Sequence, residues 1–172
     1  KSYPHRRNIV NKPGDTAAKP LFVSQFDEQG PALSPDHRWL AYSSNEGGRY
    51  EVFVRPFPNA SSAKWQISTS GGSEPLFSHS GRELFYQSGS KIMSVSVQSG
   101  TALTFGTPQV VVDGKYLSPQ AGRSYDVSPD GKRFLTIKDA TPAPTSSTPP
   151  PPSQLVVVIN WLEELKEKVP VR

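Results

Sequence analysis

Two carboxylic acids could act as reagents. Glu74 lies in GGSEP and Asp126 in SYDV, each at or within a short run of strand-forming residues. Carboxyl groups held about 5 to 10 Å apart can serve as an acid and base pair in glycoside hydrolysis. Glu28, on what reads as an entry loop, is a third acid. Together with Arg49, Glu74 and Tyr125 it forms the set of side chains best suited to holding a ligand. Other chemistries find little support. His5, His37 and His79 are too far apart for a metal signature, so no metal is expected. GGSEP lacks the last glycine of a nucleophile elbow, and SSAK at Ser61 matches Ser-x-x-Lys in a loop rather than at a helix start. The chain has no cysteine, which removes thiolate chemistry and disulfides, and nothing in it calls for a cofactor.

Whether these acids can meet depends on the elements that carry them. The 172 residues are 34% hydrophobic and include 18 prolines and 13 glycines, which favours many short strands over long helices. The basic residues behind the net charge of +4 are scattered, apart from a small group in the first twelve positions, so a nucleic-acid partner is not expected. No apolar run approaches the length of a membrane span, and no signal-peptide pattern opens the sequence.

One phrase occurs three times: SPDHRWLAY from Ser34, SHSGRELFY from Ser78 and SPDGKRFLT from Ser128. The spacings, 78 − 34 = 44 and 128 − 78 = 50, fit a repeat of about 40 to 45 residues, the period of a four-stranded propeller blade. Each phrase reads as a tight turn followed by a strand. Pro35 or Pro129 sets φ, Asp36 or Asp130 bonds the backbone two residues on, and Gly81 or Gly131 permits positive φ. His37 stands where glycine is expected, which predicts mild strain or a different turn.

The repeats divide the chain as follows. Residues 1–18 are a basic arm or degraded strand, and 19–30 an outer strand of a preceding blade with its entry loop. Blades occupy 31–73 and 74–122. A last blade occupies 123–160, with a Pro-rich loop over 141–152, and a short helix and tail follow over 161–172. In the first blade Pro31–Leu33, Trp39–Ser43, Tyr50–Phe57 and the strand from Lys64 are the four strands, with Val52 and Val54 on one face. In the second, SGTALTFGT is a loop and PQVVVD the fourth strand. The recurring aromatic residues read as packing between blades.

SPDHRWLAYSSNEGGRYEVFVRPFP, KWQISTSGGSEPLFSHSGRELFY and YDVSPDGKRFL together resemble the TolB-type β-propeller repeat found at the C-terminus of bacterial serine/threonine kinase-like multidomain proteins. The resemblance implies an all-β sensor or interaction platform, commonly outside the cytoplasm. No kinase motif is present. SHSG departs from the pattern by lacking Pro-Asp, and the Pro-rich insertion is long.

The expected fold is thus all-β: a half propeller of about three four-stranded blades, where complete rings need about four to eight. Such a half exposes the edges of its end blades. Two partners follow: a second copy closing a homodimeric ring of about six blades, or the missing half of a longer propeller. The leading expectation for function is a non-catalytic module that binds a protein, peptide or small ligand. The alternative is a hydrolase, a glycosidase or esterase, using Glu74 and Asp126 at the channel of the assembled ring.

Overall fold

The computed structural model describes residues 9–10, 17, 19–100, 103–114 and 123–137. Among these every regular element is a β-strand, and no helix is long and apolar enough to cross a membrane. The chain forms two compact units, Lys1–Asp113 and Gly114–Arg172.

The first unit begins with β1 (Ile9–Val10) paired antiparallel to β2 (Lys19–Pro20). A four-stranded antiparallel sheet follows in the order β3 (Glu28–Leu33), β4 (Trp39–Ser44), β5 (Glu51–Pro56) and β6 (Trp65–Gln66). Because β4 and β5 are interior strands buried on both faces, their residues read as unbroken apolar runs. Alternation then sorts the faces. Ala41, Val52 and Val54 point into one core cluster, and Leu40, Tyr42 and Phe53 into another. The placement of Val52 and Val54 on one face is therefore observed.

The second sheet has β7 (Ser73–Phe77), β8 (Glu83–Ser88) and the nine-residue β9 (Lys91–Ser99). Two short strands share the outer edge of β9: β10 (Leu103–Phe105) pairs with its C-terminal half and β11 (Gln109–Asp113) with its N-terminal half. They run as one outer strand broken at 106–108, where Pro108 has no amide to donate. Part of the expected loop SGTALTFGT is thus strand. Gly106 makes the passage possible, since a β-carbon there would sit 2.3 Å from Ser96 Oγ.

Leu84, Tyr86, Val95 and Val97 of the second sheet join Ala41, Val52, Val54 and Ile67 of the first in one core. Trp39 and Trp65 close it at the edge, their rings 5.7 Å apart at 84°. The opposite face of the first sheet is covered by the segment after β2: Leu21 and Phe22 pack on Leu40, Tyr42 and Phe53. The expected outer strand from Lys19 therefore ends at Pro20, and the chain crosses the sheet face instead.

Both inner strands begin earlier, or bend more, than their sequences suggest. β3 starts at Glu28, and its register slips between Gln29, opposite Ser43, and Ala32, opposite Ala41. β7 slips in the same way between Ser73, opposite Gln87, and Leu76, opposite Phe85. Each bulge holds a residue of positive φ followed by proline: Gly30-Pro31 and Glu74-Pro75. The Gly-Pro pair is what makes the start of β3 look like loop.

The second unit contains β12 (Tyr125–Val127) paired antiparallel to β13 (Phe134–Thr136). The expected last-blade strand after the Pro-rich loop, that loop itself (141–152) and the C-terminal helix (161–172) lie outside the described residues, as does most of the 1–18 arm.

The three repeated phrases form one turn. In each, the leading serine closes the ladder through its main chain, Ser34 N donating to Trp39 O at 2.9 Å, Ser78 N to Glu83 O at 2.9 Å and Ser128 N to Arg133 O at 2.8 Å. Its Oγ accepts the amide five residues on, from Trp39 at 3.0 Å, Glu83 at 3.1 Å and Arg133 at 3.0 Å. Asp36 and Asp130 accept the amides of Arg38 and Lys132, both at 3.1 Å, in the expected two-residue reach. Ser80 substitutes for the aspartate in the second copy, accepting from Arg82 at 3.3 Å. The fourth position has positive φ throughout: His37 at 55°, Gly81 at 69° and Gly131 at 73°. His37 accordingly occupies a left-handed conformation that disfavours residues with a β-carbon.

Candidate functional site

The first two turns lie side by side. A β-carbon on Gly81 would stand 3.5 Å from the Pro35 ring, so the SPDHR turn rests against SHSGR. Between them opens a groove of about 820 Å³. Trp39 and Asp36 form one wall, and Arg82, Gln98, Ser99 and Thr104 belong to the other. Trp39 Nε1 donates to Ser99 Oγ at 3.4 Å across it, and the Arg38 guanidinium lies 5.5 Å over the Trp39 ring. Trp39 begins β4, and Gln98 and Thr104 are paired across β9 and β10, while Asp36 and Arg82 stand on the two turns.

The groove carries one charge of each sign. Burial pushes the Asp36 carboxyl up, but hydrogen bonds from Ser34 Oγ, at 2.6 Å, and the Arg38 amide outweigh it and hold the group below its ordinary 3.8. Asp36 is an anion at neutral pH, and Arg82 is exposed and cationic. With an indole, hydroxyls, an amide and two opposite charges, the surface can stack an apolar group and hydrogen-bond main chain or side-chain polar atoms.

The residues singled out in the sequence fall elsewhere. Glu28 is 4% exposed as the first residue of β3, not on a loop. Arg49 is engaged within its own sheet, its Nε 2.7 Å from Glu51 Oε1 and its Nη2 donating to Thr69 O. Glu74 is half-buried in β7 at φ 54°. None of these three lines the groove. In the second unit, Tyr125 is buried, while Asp126 is exposed and accepts the Val127 amide at 2.9 Å. His37 and His79 are exposed turn residues, and His5 lies outside the described residues. No group of three His, Asp or Glu side chains able to hold a metal occurs among the described residues. Lys64, the lysine of SSAK, is tied to Glu46.

Two kinds of residue escaped the sequence reading. One is the leading serine of each phrase. Its signal was present, since it opens all three copies, but the proline and aspartate beside it explained the turn without it. The other is Glu51, 4% exposed at the start of β5, which accepts from Ser68 Oγ, from the Gly71 amide at 3.0 Å and from Arg49. It ties the segment joining the two sheets to the first. Nothing in EVFV marks a charged residue as buried.

No protein-family model matches the chain, and no curated protein matches it in sequence. Solved structures do match in shape. A putative TolB from Agrobacterium tumefaciens superposes with a TM-score of 0.50 at 13% identity, covering 70% of this chain and 41% of that one. An oligogalacturonate lyase from Vibrio parahaemolyticus superposes with a TM-score of 0.50 at 14% identity, covering 68% and 31%. The likeness is one of fold. The chain is an all-β, partial β-propeller of TolB-like form, and its two larger sheets are blades. It spans less than half the length of either structure.

Proposed function

We propose that this chain is a non-catalytic binding module and that the groove between its first two blades takes a short polar peptide segment. The observation that carries the reading is the groove itself: about 820 Å³, walled by Trp39 and paired strands, with Asp36 and Arg82 as opposite charges. A peptide offers both charges, main-chain donors and acceptors, and side chains to stack on an indole. The strong sequence signals have structural explanations, which supports binding over chemistry. The resemblance to TolB-type repeats supports a place outside the cytoplasm, as one part of a larger kinase-like multidomain protein.

An array of random short peptides probed with the labelled chain tests this. Reproducible spots that disappear with Trp39→Ala and with the groove-filling Gln98→Trp are expected. Spots unchanged by Gln98→Trp, or none, would overturn it.

A second reading, a hydrolase acting on a glycoside or ester, is favoured by one observation: Glu74 holds a left-handed backbone where the preceding blade uses glycine. Strain retained at a carboxylate is a feature of functional sites. Chromogenic glycosides and esters tested against wild type and Glu74→Gln decide it. Turnover lost in the variant supports the reading, and absence of turnover across pH ends it.

A further inference from the structure

The first blade has two apolar faces but only one neighbouring blade in its own unit. Ala41, Val52 and Val54 face the second blade. Leu40, Tyr42 and Phe53 face the side where a ring would place a preceding blade, and there, among the described residues, they pack on the Leu21–Phe22 segment, Phe57 and Ala60, with Lys64 Nζ 5.1 Å over the Phe53 ring. Phe22 is 7% exposed, its ring 5.3 Å from that of Tyr42, with the Arg55 guanidinium 4.3 Å above it. Arg55 also donates to Tyr42 Oη and to Ala60 O, each at 2.7 Å. The cover is thin. Val23, the next residue, is 89% exposed, and upstream the segment is tied by the two residue pairs of β1 and β2.

The second unit displays a surface that matches. Leu135 and Ile137, two apart on and just beyond β13, are exposed at 39% and 36%. Asp126 is paired with Leu135 across β12 and β13, so it shares their face. On the first blade Arg55 is paired with Leu40 and shares the face of Tyr42 and Phe53. One surface is apolar with a cation and the other apolar with an anion.

We propose that Leu21–Phe22 is a displaceable cap, and that the face beneath it docks the Asp126–Leu135–Ile137 face of a second copy of this chain. Two such contacts would be related by two-fold symmetry, the first unit of each copy meeting the second unit of the other. The cap is one intrachain aromatic plug with its flanking leucine. The contact that would replace it would bury Leu135 and Ile137 on the face of Tyr42 and Phe53 and bring Asp126 to Arg55. A blade therefore displaces the plug once concentration offsets the entropy of association.

Sedimentation of the full 172-residue chain over a concentration series tests the proposal. Wild type should pass from 18.8 kDa to twice that mass as concentration rises. Phe22→Ser, which loosens the cap, should lower the dimer dissociation constant about tenfold or more, a change of about 1.4 kcal/mol. Asp126→Arg, at an exposed position facing Arg55 across the contact, should raise it about tenfold in either background. The proposal fails if Phe22→Ser stays monomeric throughout, if it forms polydisperse aggregate instead of a discrete dimer, or if Asp126→Arg leaves the dimer untouched.

Discussion

Gly30 and Glu74 hold the same left-handed backbone at the same step of successive blades, with φ of 62° and 54°. A β-carbon placed on Gly30 would stand 3.7 Å from Glu74 Cα, so the two kinks are neighbours along the inner strands. Glycine adopts this conformation freely, whereas glutamate is strained by its β-carbon, at about 1–2 kcal/mol.

Glu74→Gly should therefore stabilise the chain, by about 1 kcal/mol, or about 2–4 °C in melting temperature at this size. His37→Gly should do the same for the first turn. Thermal unfolding by circular dichroism checks both. A lower melting point for Glu74→Gly would show that contacts of the carboxylate outweigh the strain.

Ser34→Ala removes an Oγ that accepts from Trp39 and donates to Asp36. Ser34 is 3% exposed, so little water reaches the vacated position. The expected cost is about 1–3 kcal/mol. Ser78→Ala should cost less, because its partner Ser80 is neutral and hydrogen bonds to a charged group are the stronger kind. Urea unfolding of the two variants gives the order directly.

Glu51 makes stability depend on acid. Burial raises its pKa, but hydrogen bonds from Ser68, the Gly71 amide and Arg49, with the charge of Arg49, outweigh that and place it below the ordinary 4.5. The folded state thus binds this proton less readily than the unfolded state. The stabilisation is present above about pH 4.5 and is lost as pH falls through the lowered folded value. Glu51→Gln should flatten the stability-against-pH curve in that window. An unchanged slope would assign acid sensitivity to other groups.

Tyr42 acts at the opposite end. Burial is the main reason its pKa rises from 10.0 to about 12, with the Arg55 contact acting against it. Between these values the unfolded chain releases the proton while the folded chain keeps it, so stability falls as pH rises from about 10 toward about 12. Tyr42→Phe should remove this alkaline loss, at the cost near neutrality of the Arg55 hydrogen bond. Denaturation midpoints across that range test it.

Local chemistry was legible in the sequence. The turn Asp36 forms with Arg38 and the shared face of Val52 and Val54 follow from residue types a few positions apart, where backbone sterics and strand periodicity decide. The start of β3 was hidden because Gly30-Pro31 signals an interruption, and pairing with Ser43 and Ser44 overrides it. β10 was hidden because three residues are too few to show a period, and its pairing with β9 is what makes it a strand.

The candidate site was least legible. Trp39, Gln98 and Thr104 become neighbours only because two blades stack, and the acids chosen from sequence were spread among a sheet interior, a bulge and a second unit. The sequence by itself determined the repeated turns, the strand alternation and hence the propeller class, since these rest on interactions within about five positions. Tertiary structure alone decided where the groove opens, that Glu51 is buried and that Phe22 covers the first blade. Those outcomes rest on contacts between residues far apart in the chain, whose approach depends on how whole sheets pack.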